Sequence, residues 1–308
     1  MISTKKIEEG QELIRQAEKS LKTSLLKWRP DYEVAADEYQ KAATCFRLAK
    51  SYDQCKDCFH KAADCHKQAR SWFHAAKCYE QIILILKETN NLTQVEEFAN
   101  RACHLYQQHG SPESAASALD KAAKVLEANS PEAALRLYQH AIEVVMNEDS
   151  TRQAAEYASK ISRLMVKLGM YDQAADALRR EIGLNQQTES YGAIGRLAVV
   201  LVLVQLARGD NVAAEKAFKE WGNCCDVQEV QTLEMLLQAF DDEDPDAAKQ
   251  ALASPFIRSM DVEYSRLARD LPLPKASYKS PNAGNPAPSA GDSAPPTIED
   301  DMEEGGLC

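Results

Sequence analysis

The sequence predicts an all-α solenoid of about 14 antiparallel helices packed in pairs, on three observations. The first is a period. Ala35, Ala75, Ala115 and Ala155 lie 40 residues apart, and Ala134, Ala174 and Ala214 form a second, interleaved series with the same step. Gly169 and Gly209 repeat at 40 as well. Two series in one period mean two helices per repeat, each helix and its turn taking about 20 residues. The second is composition: seven of the 12 prolines fall between Pro272 and Pro296, so the chain before them is poor in turn-formers and rich in helix-favouring residues. The third is local pattern. Helix-spaced apolar stripes begin at capping pairs such as Ser111-Pro112-Glu113, Ser130-Pro131-Glu132 and Asp244-Pro245-Asp246. There a side chain caps free N–H groups, Pro takes the first helical position and an acid meets the positive end of the dipole.

Met1 to Lys6 runs directly into charged helical sequence without an apolar core, so no signal peptide is expected. Next, Thr23 to Pro30 joins the first two helices and places Leu25, Leu26 and Trp28 in a connection flanked by Lys22, Lys27 and Arg29. Large apolar residues in a loop either tuck back onto a helix or meet a membrane or partner. The cations suit an anionic lipid surface, and the residues alone leave both readings open. From Tyr32 to Leu48, the positions Tyr32, Ala35, Ala36, Tyr39, Ala42, Ala43 and Phe46 form one stripe. Cys55, Cys58, Ala62 and Cys65 make the corresponding stripe of the following helix. With His60, His66 and Cys45 nearby, they invite a zinc site or a thiol enzyme. A structural zinc site usually draws its second ligand pair from another element, so the plainer reading is cysteine as a small apolar residue. Nine cysteines, an odd number in a long chain, fit reduced cytosolic thiols. Cys308 stands at the last position, not fourth from the end, so prenylation is not expected.

In the helix over 152–168, Lys160, Arg163 and Lys167 share a stripe beside Tyr157, Ile161 and Leu164. They are either ordinary surface charge or a face for an acidic partner helix. Leu197 to Leu206, broken by Gln205, is about half the roughly 20 residues needed to span a bilayer, and reads as a helix buried on most sides. Between Asp226 and Asp246 lie eight acids and no Lys or Arg, with Asp241, Asp242, Glu243 and Asp244 at a turn. Such a run is a solvated face or a dock for a basic domain. The solenoid is expected over 1–271. Residues 272–308, rich in Pro, Ser, Gly and Asn and then acids, cannot bury enough surface to offset ordering, so they read as a flexible acidic tail.

Charge and missing motifs bound the function. With 36 Lys and Arg against 47 Asp and Glu, the net charge of −11 argues against nucleic acid as a partner. No phosphate-cradling glycine loop, zinc-protease helix or nucleophile elbow is present. The chain therefore reads as a non-enzyme with no cofactor and no small-molecule substrate.

A 40-residue hairpin period differs from the 34 of ordinary tetratricopeptide repeats. That period, Tyr32-x2-Ala-Ala-x2-Tyr-x2-Ala-Ala after an apolar loop, and an acidic tail with penultimate Leu307 together resemble the soluble NSF-attachment protein family over the whole chain. The Pro-rich segment and the ending Gly305-Gly306-Leu307-Cys308 look like its gamma branch. The resemblance implies a tetratricopeptide-like, right-handed solenoid. It implies an adaptor that lies along the four-helix SNARE bundle, touches the membrane peripherally and recruits the hexameric ATPase NSF in cytoplasmic vesicle transport. Leu25, Leu26 and Trp28 match the family's membrane loop, Asp241 and Asp242 its acidic turn beside Glu243, and Leu307 the residue that stimulates NSF. Gln238 stands where the family has a third acid. Lys160 matches a SNARE-facing Lys, with Arg163, Lys167 and Arg196 close by, whereas Ser117 and Glu156 stand where alpha-type members look basic. The alternative is a generic peptide-binding scaffold or co-chaperone, for which a repeated carboxylate clamp is missing.

Overall fold

The computed structural model describes residues 2–23 and 28–275. Its helices are α1 (Ile2–Leu21), α2 (Tyr32–Leu48), α3 (Tyr52–Gln68), α4 (Trp72–Glu88), α5 (Val95–His109), α6 (Pro112–Leu126), α7 (Pro131–Met146) and α8 (Thr151–Lys167). They continue as α9 (Tyr171–Gln187), α10 (Tyr191–Ala207), α11 (Asn211–Trp221), α12 (Val227–Asp241), α13 (Pro245–Leu252), α14 (Pro255–Arg258) and α15 (Val262–Asp270). One of these fifteen, α14, is a single turn of four residues, close to the count that the period implies. Among the described residues there is no strand.

The 20-residue unit has a local cause. Lys50, Arg70, Asn90, Gly110, Asp149, Gly169, Glu189 and Gly209 all hold positive φ. Each follows a helix end, and the next residue's N–H reaches back over a full turn: Ser51 to the Phe46 carbonyl at 2.9 Å, Ser71 to His66 at 2.8 Å and Asp210 to Gln205 at 3.0 Å. This is the Schellman closure, which satisfies the carbonyls a helix end would otherwise leave free. The residue that closes one helix is also the cap of the next. Asp210 shows both roles, its carboxylate accepting from the Ala213 N–H at 2.9 Å. The chain reverses with no spare residue between helices.

Packing follows from register. Ala35, Ala36, Ala42, Ala43, Ala62, Ala63, Ala75 and Ala76 are completely buried. Their small side chains let consecutive helices approach closely, and Phe46, Tyr106 and Tyr138 fill the spaces between layers. Side chains one period apart also meet, as Glu96 of α5 forks onto Arg136 of α7 at 2.8 Å and Asn100 pairs with His140 at 2.9 Å.

From α1 to α11 each helix packs mainly on the next, with smaller contacts one period apart, and the stack then closes on itself. α15 returns to pack on α8 and α10. α10 is therefore covered by α9, α11, α12 and α15, which is why Leu197 to Leu206 is buried on every side. No described helix is long and apolar enough to cross a membrane.

The α10–α12 joint needs a glycine. A Cβ on Gly195 would stand 2.6 Å from the Cys224 carbonyl oxygen and 2.5 Å from Glu229 Oε2. Glu229 cannot withdraw freely, since it forms a reciprocal capping box with Asp226 at the start of α12. Gly183, also within a helix, has open space around it. Gly183→Ala is expected to stabilise by about 0.5–1 kcal/mol through helix propensity. Gly195→Ala is expected to destabilise by about 1–3 kcal/mol despite the same gain. Thermal or urea unfolding of the two variants checks the opposite signs.

Candidate functional site

Four surfaces carry the residues of interest. At the α1–α2 end, Trp28 is 87% exposed. Leu25 and Leu26 lie outside the described residues, as does Leu307 at the other end.

The cations of α8 sit differently from what their stripe suggests. Lys160 Nζ pairs with Asp120 of α6, one period upstream. It also lies 5.3 Å and 5.0 Å from the ring centres of Tyr138 and Tyr157. Only 23% of its side chain is exposed, and 15% of Asp120's. Burial raises the Asp120 carboxyl, but the Lys124 and Lys160 hydrogen bonds outweigh burial and hold it below its ordinary value. Lys167 donates to the Glu127 carbonyl at 2.9 Å. Arg163 lies between Glu127 at 3.6 Å and Glu263 of α15 at 3.8 Å. Arg196 of α10, by contrast, is exposed and forms no ion pair among the described residues. The stripe thus divides: Lys160, Arg163 and Lys167 tie α8 to α6 and α15, and Arg196 faces solvent.

The acidic corner stands clear. Asp241, Asp242, Glu243 and Asp244 are all exposed where α12 turns into α13. Asp244 caps α13, accepting from the Asp246 and Ala247 N–H groups at 3.0 Å. Gln238 donates to Asp242 at 2.8 Å. Among the described residues Asp241, Asp242 and Glu243 meet no cation within ion-pair distance, and they crowd the negative end of the α12 dipole. Carboxylates there cost stability. Because contacts from α1 to α11 run between successive helices and helices two apart, this corner and Trp28 lie towards opposite ends of the stack.

The fourth surface is a cleft of about 620 Å³ between α8, α9, α10 and the start of α15. Glu181 and Tyr264, 4% and 5% exposed, line it, and among the described residues neither Glu181 Oε2 nor the Tyr264 hydroxyl has a hydrogen-bond partner. Burial pushes the Glu181 carboxyl up to about 7, against the opposite pull of the Ser162 and Ser159 hydroxyls. Sequence reading missed this cleft. A partial signal exists, since Glu181 falls on the buried stripe of Ala174, Leu178 and Ile182. The return of α15 that brings Tyr264 has none.

The cysteine stripe is core. Cys55, Cys58 and Cys65 are buried, and burial pushes the Cys55 thiol up to about 11 and Cys58 to about 12. Among the described residues no group of three or more His, Cys, Asp or Glu is arranged to hold a metal ion.

A closed stack of two-helix units with exposed groups at both ends is a helical-repeat scaffold. The family description "Soluble NSF attachment protein, SNAP" matches residues 8–254, and the chain belongs to that family. It is 27% identical to a gamma-soluble NSF attachment protein of Dictyostelium discoideum over 278 residues, 89% of this chain and 86% of that one. The corresponding Arabidopsis thaliana gamma protein is 24% identical, covering 84% and 90%. An alpha-soluble NSF attachment protein of Vitis vinifera is 28% identical over 70% and 74%.

Two stability measurements test the electrostatics. Lys160→Met is expected to cost about 1–2 kcal/mol at neutral pH by removing one of the two cations that hold a half-buried carboxylate, Lys124 remaining. Asp120 is held low in the folded state, so its contribution is present above its ordinary value of 3.8. It is lost as pH falls through the folded value, and the gap between wild type and variant narrows there. Glu181 has the opposite sign. Its folded-state value of about 7 exceeds the ordinary 4.5, so wild type loses stability as pH rises from 4.5 to 7. Glu181→Gln is expected to be more stable than wild type by up to about 3 kcal/mol at pH 8, with the difference gone near pH 4. Urea unfolding across this range reads both effects.

Proposed function

We propose that this protein is an adaptor: it holds assembled SNARE bundles at a membrane surface and brings the ATPase NSF to them. The family match over residues 8–254 carries this reading, and the distribution of exposed groups supports it. The solenoid, residues 1–271, acts as a stiff lever, and residues 272–308 act as a tail. At one end Trp28, with Leu25 and Leu26, inserts into the interfacial region of an anionic bilayer, where large apolar side chains beside Lys and Arg bind well. At the other, Asp241, Asp242 and Glu243 meet basic domains of NSF. Three carboxylates kept against an unfavourable helix dipole, with no cation among the described residues to offset them, fit a docking patch that sets encounter rate and register. Leu307 adds the contact that stimulates hydrolysis. The protein itself does no chemistry, needs no cofactor and stays peripheral to intracellular membranes in the cytoplasm.

On the SNARE side, Arg196 is exposed and, among the described residues, forms no ion pair, so we assign it the direct contact. Lys160, Arg163 and Lys167 act there by their backbone-anchored positive field and by fixing the curvature of the gripping face, since their charged groups are already paired.

The test is NSF ATPase activity with this protein adsorbed on a surface. Wild type is expected to stimulate turnover. Asp241→Lys with Asp242→Lys is expected to reduce stimulation roughly tenfold or more, with a salt dependence weaker than wild type's. Leu307→Ala is expected to retain NSF binding and lose stimulation. No stimulation by wild type removes the adaptor reading, and stimulation unchanged by Leu307→Ala removes only the role given to that residue.

A further inference from the structure

We propose that the cleft between α8, α9, α10 and α15 is a socket for a single basic side chain, lysine or arginine, projecting from the helical bundle that the solenoid grips. This rests on the adaptor reading and adds to it a specific recognition site.

The floor is the first argument. Glu181 and Tyr264 are both buried, both line the cleft, and both carry an oxygen without a partner. A buried acceptor left unmatched costs on the order of 1–3 kcal/mol. Two such atoms facing one opening mark a place where a donor from outside would be favoured. Lys and Arg are the cationic side chains that only donate, and so suit a carboxylate at the floor.

Shape and walls are the second. About 620 Å³ lies within the range of cavities that hold organic groups. Ala155, Leu197, Val200 and Met260 give the sides apolar surface. An aliphatic stem can lie along such walls while its charged head reaches the floor. An anion fits poorly, because it would meet the Glu181 carboxyl at the bottom.

Charge at the mouth is the third. Arg152, Glu156, Arg196 and Asp261 line the cleft and are exposed. Two cations and two carboxylates around an opening complement the mixed charges along the flank of a coiled coil, where basic residues are commonly followed by acids a turn away. A free amine or guanidinium would use the floor and leave this rim unmatched, so the occupant is a side chain on a helical partner. Glu156, which stands where a basic residue would be expected for alpha-type members, belongs to this rim.

The socket couples binding to a proton. Glu181 is faced by Ser159 and Ser162 from α8 and by Asp261 and Tyr264 from the α15 side, with Arg152, Glu156 and Arg196 further out at the rim. Burial keeps its carboxyl protonated to about 7. An entering cation needs the carboxylate, so binding releases a proton at and below neutral pH and tightens as pH rises.

The experiment measures binding of the full chain to an assembled four-helix SNARE bundle by fluorescence anisotropy at about pH 6 and about pH 8. Wild type is expected to bind severalfold more tightly at the higher pH. Glu181→Gln, expected to fold at least as stably as wild type and checked by urea unfolding, is expected to bind roughly tenfold more weakly at the higher pH and to lose most of the pH dependence. Replacing the bundle's Lys and Arg by Gln one at a time identifies the occupant. One substitution is expected to weaken wild type by a similar factor and leave Glu181→Gln unaffected, and Tyr264→Phe gives a smaller loss in the same cycle. Glu181→Gln binding within twofold of wild type at both pH values, or bundle substitutions that add independently to it at every position, overturns the socket. Wild type that binds no bundle overturns the adaptor reading, and the socket with it.

Discussion

One backbone hydrogen bond sets the dimensions of this molecule. At almost every turn an N–H reaches back to the carbonyl five residues earlier, across a residue in the left-handed region. Where that residue is Lys50, Arg70, Asp149 or Glu189, the conformation costs roughly 1 kcal/mol relative to glycine. The alternative is several unsatisfied carbonyls at a packed helix end, which costs more. Because the donor also opens the next helix, helix length and turn length cannot vary independently. The 20-residue unit, the coincidence of alanines between layers and the meeting of side chains 40 apart are consequences of this closure.

That repetition determines what charged side chains can do. Equivalent positions of successive pairs stand next to each other, so an acid in one repeat and a base in the next become partners, as with Glu96 and Arg136 or Asp120 and Lys160. A cation that looks exposed on a single helix is then part of a joint. Groups free to contact something else are left where the series is interrupted: at Trp28 before the second helix, at the acidic turn after α12, and in the cleft where α15 returns.

Most of the fold could be read from the chain, because the closure leaves its mark as a period. Ala35 to Ala155 gave the repeat, Ser-Pro-Glu pairs gave helix starts, and Leu197 to Leu206 gave a helix buried on most sides, which proves buried on every side. What could not be read depends on contacts distant in sequence. Nothing local to Asp120 and Lys160 announces their pairing, and nothing near Tyr264 announces that it will close over Glu181. The acidic turn was legible in outline, because charge without a counter-charge is visible in the string. Its position against the α12 dipole emerged only with the helix boundaries.

The return of α15 onto α8 and α10 has a mechanical consequence. From α1 to α7 each helix answers to the helices one and two places away in the chain, so this half can fray inward from its free end at graded cost. From α8 onward α15 ties α8 and α10 together, so this half opens only by breaking that closure, while α13 is held mainly by α12. The molecule is thus more compliant towards Trp28 than in the block around α8 and α10 that α15 closes.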